Sequence, residues 1–399
     1  MSTAQSMSIP KPESIIHVIH IITCLENGGA EGALFRLIEA SPAHITHQVI
    51  SLSGPGIYTK PLEKLGVNVD VLNMPKGRIS ISGLKLLTTL LRQSIHPNAV
   101  VQTWMYHADL LGGTIARLVG HRKIFWGIRN TKLDPSARAT KVVAKTCAWL
   151  SRWVPNAIVC CSTNAAKYHR ALGYQAPMTV IYNGYDLEKL KILPELNRNT
   201  RESLEIDEAF TLGFVARWDP IKDHENLMHG LKLWRKQNPV ITFNLVLVGY
   251  GCDSANTELI QLLNHYGLTK RTYLLGQRED IAAIMNMLDL HVLSSKSEAF
   301  PNTIAEAMAC GTPCLTTNVG DAAYIVGTTG WVVPPQSPTA ISEGLQSAFS
   351  IIANDNRPNT DCRERIAELF SLQSMVDEFQ LIWSTEKRVP VVNNKNPPV

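Results

Sequence analysis

Several things are missing from this chain of 399 residues, and each absence narrows its chemistry. No run approaches 18 uninterrupted apolar residues, so no membrane span is expected. The segment MSTAQSMSIPKPE has no apolar core behind its polar residues, so a secretory leader is not expected and a cytoplasmic chain is. The eight cysteines show no paired Cys-x-x-Cys spacing; neither a zinc site nor a disulfide framework is indicated, which suits a reducing compartment. There is no Gly-x-x-x-x-Gly-Lys-[Ser/Thr] loop and no Gly-x-Ser-x-Gly elbow, which sets aside P-loop and elbow-type hydrolase chemistry. Asp-x-Asp occurs nowhere, so the usual carboxylate clamp for a metal-bound diphosphate is missing and no metal is expected.

The net charge of +4 conceals an asymmetry. Residues 1–195 carry 21 Lys+Arg against 11 Asp+Glu, an excess of ten positive charges, whereas the remainder carries 17 against 23, an excess of six negative ones. Residues 117–152 hold nine basic residues opposed only by Asp134. Within them Arg138, Lys141, Lys145 and Arg152 share one helical face, with Val142, Val143, Cys147 and Leu150 on other sides. Such a face suits an anionic membrane surface or a phosphate-bearing lipid; it is equally what an ordinary solvated helix looks like. Nucleic acid is not expected, because the cations carry no aromatic stacking pattern or nucleic-acid module.

Apolar strand-like runs alternate with helical patterns over nearly the whole length. Strands are predicted at 15–23, 48–52, 67–72, 99–103, 123–126, 157–161 and 179–182, with helices between them near 30–40, 58–65, 80–95, 107–119, 137–152 and 163–172. A polar stretch near 184–200 reads as a linker. A second series follows at 211–216, 242–248, 272–275, 290–293 and 313–316. The pattern predicts an α/β protein with two doubly wound parallel sheets. An N-terminal domain is expected over 13–190 and a C-terminal one over 191–371. A last helix over 372–388 is expected to pack back on the first domain, ahead of a disordered tail over 389–399. In such folds ligands bind at the carboxyl ends of strands, so two facing domains would enclose a cleft.

The stretch SSKSEAFPNTIAEAMACGTP, residues 294–313, is the most informative. Glu298 and Glu306 stand eight positions apart, the first in a Ser-rich loop behind an apolar run, the second on a helix that starts near Pro301 and Asn302. Asn302 is a plausible N-cap, leaving free backbone amides and a positive dipole end, which together suit a phosphate. Glu306, on the second turn, suits a vicinal diol such as ribose. Upstream, Arg217 and Lys222 leave the end of a buried strand five positions apart, and two such cations could hold a diphosphate. Gly249 and Gly251 form a tight turn behind another strand, but Ser254 stands where a dinucleotide fingerprint needs a third glycine. In the first half, Gly28 and Gly29 form a strand-to-helix turn, and His107 follows a strand end, as do Arg129 and Asn130.

SEAFPNTIAEAMACGTP resembles the Glu-x7-Glu segment of the retaining glycosyltransferases of family 4, which have the GT-B fold. The resemblance covers roughly residues 15–385. GFVARWDPIKDH is similar to the family's Gly-Arg-Leu-x-Pro-x-Lys-Gly motif, with Ala216, Trp218 and Asp223 replacing Gly, Leu and Gly. It implies that Arg217 and Lys222 bind and stabilise the departing nucleoside diphosphate, helped by the amides near Asn302 and Thr303. It further implies that Glu306 holds ribose, Glu298 the transferred sugar, and His107 orients that sugar. Gly28, Gly29, Gly249, Gly251, Gln277, Arg278, Phe300 and Pro301 would complete the donor site; Arg129 and Asn130 would face the acceptor.

The implied reaction is retaining sugar transfer from a nucleotide sugar without cofactor or metal. UDP-sugars are the commonest donors in the family. The implied acceptor is a saccharide or lipid-linked saccharide of a surface polysaccharide (exopolysaccharide, capsule or lipopolysaccharide), with the protein peripheral on the inner membrane face. A sugar-nucleotide epimerase, another GT-B enzyme or a non-catalytic nucleotide-sugar-binding protein are the alternatives.

Overall fold

The structure is a computed structural model, described here for residues 15–75, 78–131, 133, 137–354 and 360–385. The tail expected over 389–399 lies outside the described residues. The N-terminal sheet has seven strands: β1 (Ile16–Ile22), β2 (Ile45–Ser51), β3 (Asn68–Val71), β4 (Ala99–Trp104), β5 (Lys123–Ile128), β6 (Ala157–Cys160) and β7 (Met178–Val180), in the order β3-β2-β1-β4-β5-β6-β7. The C-terminal sheet has six: β8 (Phe210–Val215), β9 (Phe243–Val248), β10 (Thr272–Gly276), β11 (Leu290–Leu293), β12 (Cys314–Thr317) and β13 (Trp331–Val333), in the order β10-β9-β8-β11-β12-β13. Every pairing is parallel. Helices cover both faces, so the central strands read as continuous apolar runs rather than alternating ones; FNLVLV of β9 is buried throughout.

Strand order reverses direction between β1 and β4 in one sheet and between β8 and β11 in the other. Chain leaving the carboxyl ends of these four strands therefore opens onto the two switch-point crevices, where this architecture places ligands. β13 was not foreseen. It is three residues long and its Trp331 and Val332 are only partly covered, so its apolar signal is weak.

The segment expected to be a polar linker is partly helical. Pro194–Ser203 forms a helix with Pro194 in its first turn, where the missing N–H costs nothing. Arg201 fastens it to the second domain, donating to the Met287 carbonyl at 2.9 Å and pairing with Asp289 at 2.9 Å. The chain crosses between domains twice, and the crossings pair with each other. The Tyr185 amide donates to Phe370 O and the Leu372 amide to Tyr185 O, both at 3.0 Å. After the second crossing the helix Leu372–Ser384 lies against the first domain. There Met375, Val376, Phe379, Ile382 and Trp383 join the core formed by Ile22, Val49 and Trp104. Trp383 Nε1 donates to Gln102 Oε1 at 3.3 Å, anchoring the helix to β4.

Candidate active site at the domain seam

The segments after β1, β4, β8 and β11, loop and helix start together, carry Gly28 and Gly29, His107, Arg217 and Lys222, and Glu298 with Asn302, respectively. Four segments far apart in sequence thus converge on the two switch points. Asn302 reaches across the seam: a β-carbon on Gly29 would stand 3.0 Å from its Nδ2. The absence of a side chain at Gly29 gives this close approach its room, since any Cβ would press on the Asn302 amide group.

Asn302 is not the N-cap of its helix. Pro301 occupies that position, and Asn302 is the first helical residue, its side chain turned away to the interdomain linker. Its Oδ1 accepts from Asn183 Nδ2 at 2.8 Å and from the Tyr185 hydroxyl at 2.7 Å. The helix has no side-chain cap and no acid in its first turn, so its start remains open to an anion. The other helix start, at Gly29, is already filled. Glu31 folds back over Gly28, so that a β-carbon there would meet Oε2 at 2.2 Å. The Glu31 carboxylate accepts from the amides of Glu31 and Ala30 and from Cys24 Sγ. Of the two converging helix starts, the one at Asn302 is therefore the one left uncapped.

Lys222 and Glu298 form an ion pair at 2.6 Å, largely shielded from solvent. Ser295 Oγ donates to the same carboxylate oxygen at 2.7 Å, leaving Oε2 of Glu298 with capacity to accept a further hydrogen bond. Arg217 is more open, with its side chain 56% exposed and Nε donating to Asp219 at 3.0 Å. The Gly249 and Gly251 turn lies directly beneath it. A β-carbon on Gly249, at φ 143, would stand 2.3 Å from the Ala216 carbonyl, and the Trp218 amide donates to Tyr250 O at 2.7 Å. These glycines thus serve close packing of the loop that presents Arg217.

Glu306 is half-buried on the second turn of the Asn302 helix. Burial pushes its pKa up, opposed by the Arg36 guanidinium from the first domain. Gln277 is exposed beyond β10, and Arg278 beside it is tied to Asp280 through Nε at 2.8 Å and Nη2 at 2.6 Å. Phe300 is buried against Tyr182, Tyr185 and Phe370, whereas Pro301 and Thr303 flank Asn302 at the helix start.

His107 lies half-buried in a single helical turn after β4, and burial holds its pKa below the usual histidine value. Met105, at φ 72, turns the chain sharply to place it there, a backbone strain of the kind that gathers at functional sites. Arg129 is not an open cleft residue. Its guanidinium stacks on Trp104 with 4.4 Å to the ring centroid and donates through Nη1 to Asn183 Oδ1 at 2.7 Å, while Asn130 is exposed. A hydrogen-bonded chain thus runs from Arg129 through Asn183 to Asn302. Arg36, Asn183 and Tyr185 were not among the candidate site residues; Asn183 and Tyr185 lie where the polar linker begins, and nothing local marks Arg36.

Two facing Rossmann-like domains whose strand-end segments meet at the seam define the GT-B class of glycosyltransferase. Residues 209–350 match the family described as Glycosyl transferases group 1, and residues 27–189 match Glycosyltransferase Family 4. The chain belongs to this glycosyltransferase family. Among curated relatives, N-acetyl-alpha-D-glucosaminyl L-malate synthase of Bacillus anthracis is 28% identical over 141 residues, 35% of this chain and 36% of that protein. UDP-Gal:alpha-D-GlcNAc-diphosphoundecaprenol alpha-1,3-galactosyltransferase of Escherichia coli is 25% identical over 71% of this chain and 74% of its own length. Among solved structures, Anabaena Alr3699/HepE in complex with UDP-glucose superposes with a TM-score of 0.80 at 20% identity, covering 92% of this chain and 99% of that one. At that identity the likeness establishes the fold.

Proposed function

We propose that the protein moves a sugar from a nucleotide sugar, a UDP-sugar foremost, to a saccharide acceptor with retention of anomeric configuration. The observation that carries this reading is the pairing of Lys222 with Glu298 in the loops after β8 and β11, next to an uncapped helix start. In this reading the diphosphate lies between Arg217, Lys222 and the amides at Asn302 and Thr303. As the glycosidic bond breaks, negative charge grows on the leaving phosphate, and these fixed donors stabilise it without a metal or other cofactor. Glu298 Oε2 holds a hydroxyl of the transferred sugar and Glu306 the ribose. His107 orients the sugar from the other domain, and the departing phosphate oxygen takes the acceptor proton. UDP and UDP-glucose in the Anabaena structures support the donor class.

The acceptor proposed is a lipid-linked saccharide of surface polysaccharide biosynthesis, met by a cytoplasmic protein docked peripherally on the membrane. The diphosphoundecaprenol acceptor named for the Escherichia coli relative supports it. So does the helix Arg138–Leu150, whose exposed stripe of Arg138, Val142, Lys145 and Trp149 mixes cations with apolar side chains while Ala144, Cys147 and Ala148 face the core. Val142 therefore shares the cationic face rather than another side. Trp153 continues the stripe with its ring 5.1 Å from that of Trp149, both more than half exposed. Exposed tryptophans beside cations suit an anionic bilayer interface. No helix among the described residues is long and apolar enough to cross a membrane.

The test is a panel of UDP-, GDP- and ADP-sugars with saccharide acceptors. Acceptor-dependent release of UDP is expected. Interconversion of free sugar nucleotides, or binding without turnover, would overturn the transfer reaction. Sedimentation with liposomes checks the docking: binding to anionic but not neutral vesicles at low salt is expected, and no binding to either would remove it.

A further inference from the structure

We propose that Asp321 is a positioning residue that ties the arrangement of the two domains to the placement of Glu298. The proposal rests on the reading of Glu298 given above. Asp321 follows β12 in the second domain, with 3% of its surface exposed. Its carboxylate accepts from two amides of the first domain, Thr163 N to Oδ2 at 2.7 Å and Asn164 N to Oδ1 at 3.1 Å. Those amides open the helix Thr163–Ala171, so a carboxylate from one domain meets the positive end of a helix in the other. Asn164 adds a bond from Nδ2 to the Gly320 carbonyl.

The same residue grips the loop of Glu298 from behind. The Asp321 amide donates to Ala299 O at 3.0 Å. Gly320, at φ 54, lies so close that a β-carbon there would stand 2.4 Å from Glu298 O. From the first domain to Ala299, the residue after Glu298, the path is therefore two hydrogen bonds through one residue, and Glu298 in turn meets Lys222. A buried carboxylate is costly unless its hydrogen bonds are met, and here the Asn164 side chain and the Lys167 charge, both of the first domain, add to the two amides. Both of the backbone amides it accepts from lie across the seam. When the domains stand as they do here, the segment 298–300 is held on both sides. When they separate, Asp321 loses both amides and the segment loses one support.

Thr163 allows a test from the opposite side. It is the first residue of its helix and follows Ser162 in extended backbone (φ −153, ψ 152), a setting that accepts proline. Thr163→Pro deletes the amide that reaches Asp321, whereas Thr163→Val keeps it and removes only the hydroxyl contact with Tyr182. The experiment measures kcat for sugar transfer, UDP affinity by calorimetry and the melting temperature for Asp321→Ala, Thr163→Pro, Thr163→Val and the Ala/Pro double variant. Asp321→Ala and Thr163→Pro are expected to lower kcat by roughly 10- to 100-fold with UDP affinity unchanged, since the proposed diphosphate contacts all lie in the second domain. Thr163→Val should match wild type, and the double variant should be no slower than the worse single one. Wild-type kcat in a folded Thr163→Pro protein, equal losses in the Val and Pro variants, or a parallel fall in UDP affinity would each overturn the proposal. A wild-type protein that transfers no sugar would instead defeat the glycosyltransferase reading, and the inference with it.

Discussion

Lys222 Nζ lies 2.6 Å from Oε1 of Glu298, and the two come from loops that leave adjacent strands of the second domain. The partners differ in proposed role, so their variants should differ. Lys222→Ala removes a charge from the diphosphate and strands Glu298; both UDP affinity and kcat should fall. Glu298→Gln keeps the shape and the Ser295 contact but loses the charge that grips a sugar hydroxyl. Its UDP affinity should survive while kcat falls about 100-fold or more. Calorimetry and steady-state kinetics on both variants check this.

Arg217 is exposed and shares a single bond with Asp219. Exposed pairs of this kind contribute roughly 0–1 kcal/mol to stability. Arg217→Ala should therefore leave the melting temperature near that of wild type, while lowering kcat by about 10²–10³-fold through loss of a donor to the leaving phosphate. Asp219→Asn should change kcat little. Comparable losses in the two variants would point to loop disruption instead.

Asn302 separates an electrostatic role from a structural one. Asn302→Asp keeps an acceptor for Asn183 and Tyr185 and adds a charge that suits a helix start. It should preserve stability yet sharply weaken UDP binding, because like charge then meets the diphosphate. Asn302→Ala should instead cost about 1–3 kcal/mol of stability by orphaning the two linker donors. Chemical denaturation and UDP titration distinguish them.

Asp109, beneath the His107 turn, is buried, and burial raises its pKa to about 8 against hydrogen bonds from Thr103 and the Gly127 amide. The native state thus keeps a proton that an unfolded chain releases near pH 4. The stability this group contributes is complete below about pH 4 and declines as pH rises toward about 8. Asp109→Asn should flatten that decline. Melting temperatures of both proteins between pH 5 and 9 check the slope.

The alternation of strands and helices, and with it two doubly wound sheets, was legible because buried parallel strands write their burial as unbroken apolar runs. Glu298, the Arg217 and Lys222 pair and the glycine turns were legible because each follows the end of such a run, and Glu306 because it stands eight positions beyond Glu298 on the next helix. Residues that act across the seam were not. Arg36 is one arginine on an amphipathic helix, and Asp321 one aspartate in a turn; their partners lie 148 and 158 positions away. Asn302 misled, since an asparagine after proline at a helix start reads as a cap, and only the linker folded against it shows where its oxygen goes. Arg129 was found, but its burial against Trp104 and Asn183 depends on contacts no local pattern records.

The central claim is that guanidinium, ammonium and helix-start amides of the second domain hold a nucleoside diphosphate. Titrating UDP in EDTA into the wild-type protein and into the Arg217→Ala/Lys222→Ala double variant tests it most directly. Saturable binding by the wild type that the double variant loses while keeping its melting temperature is the result predicted. Equal UDP affinity in the two proteins, or wild-type binding that appears only when a divalent cation is restored, would contradict it.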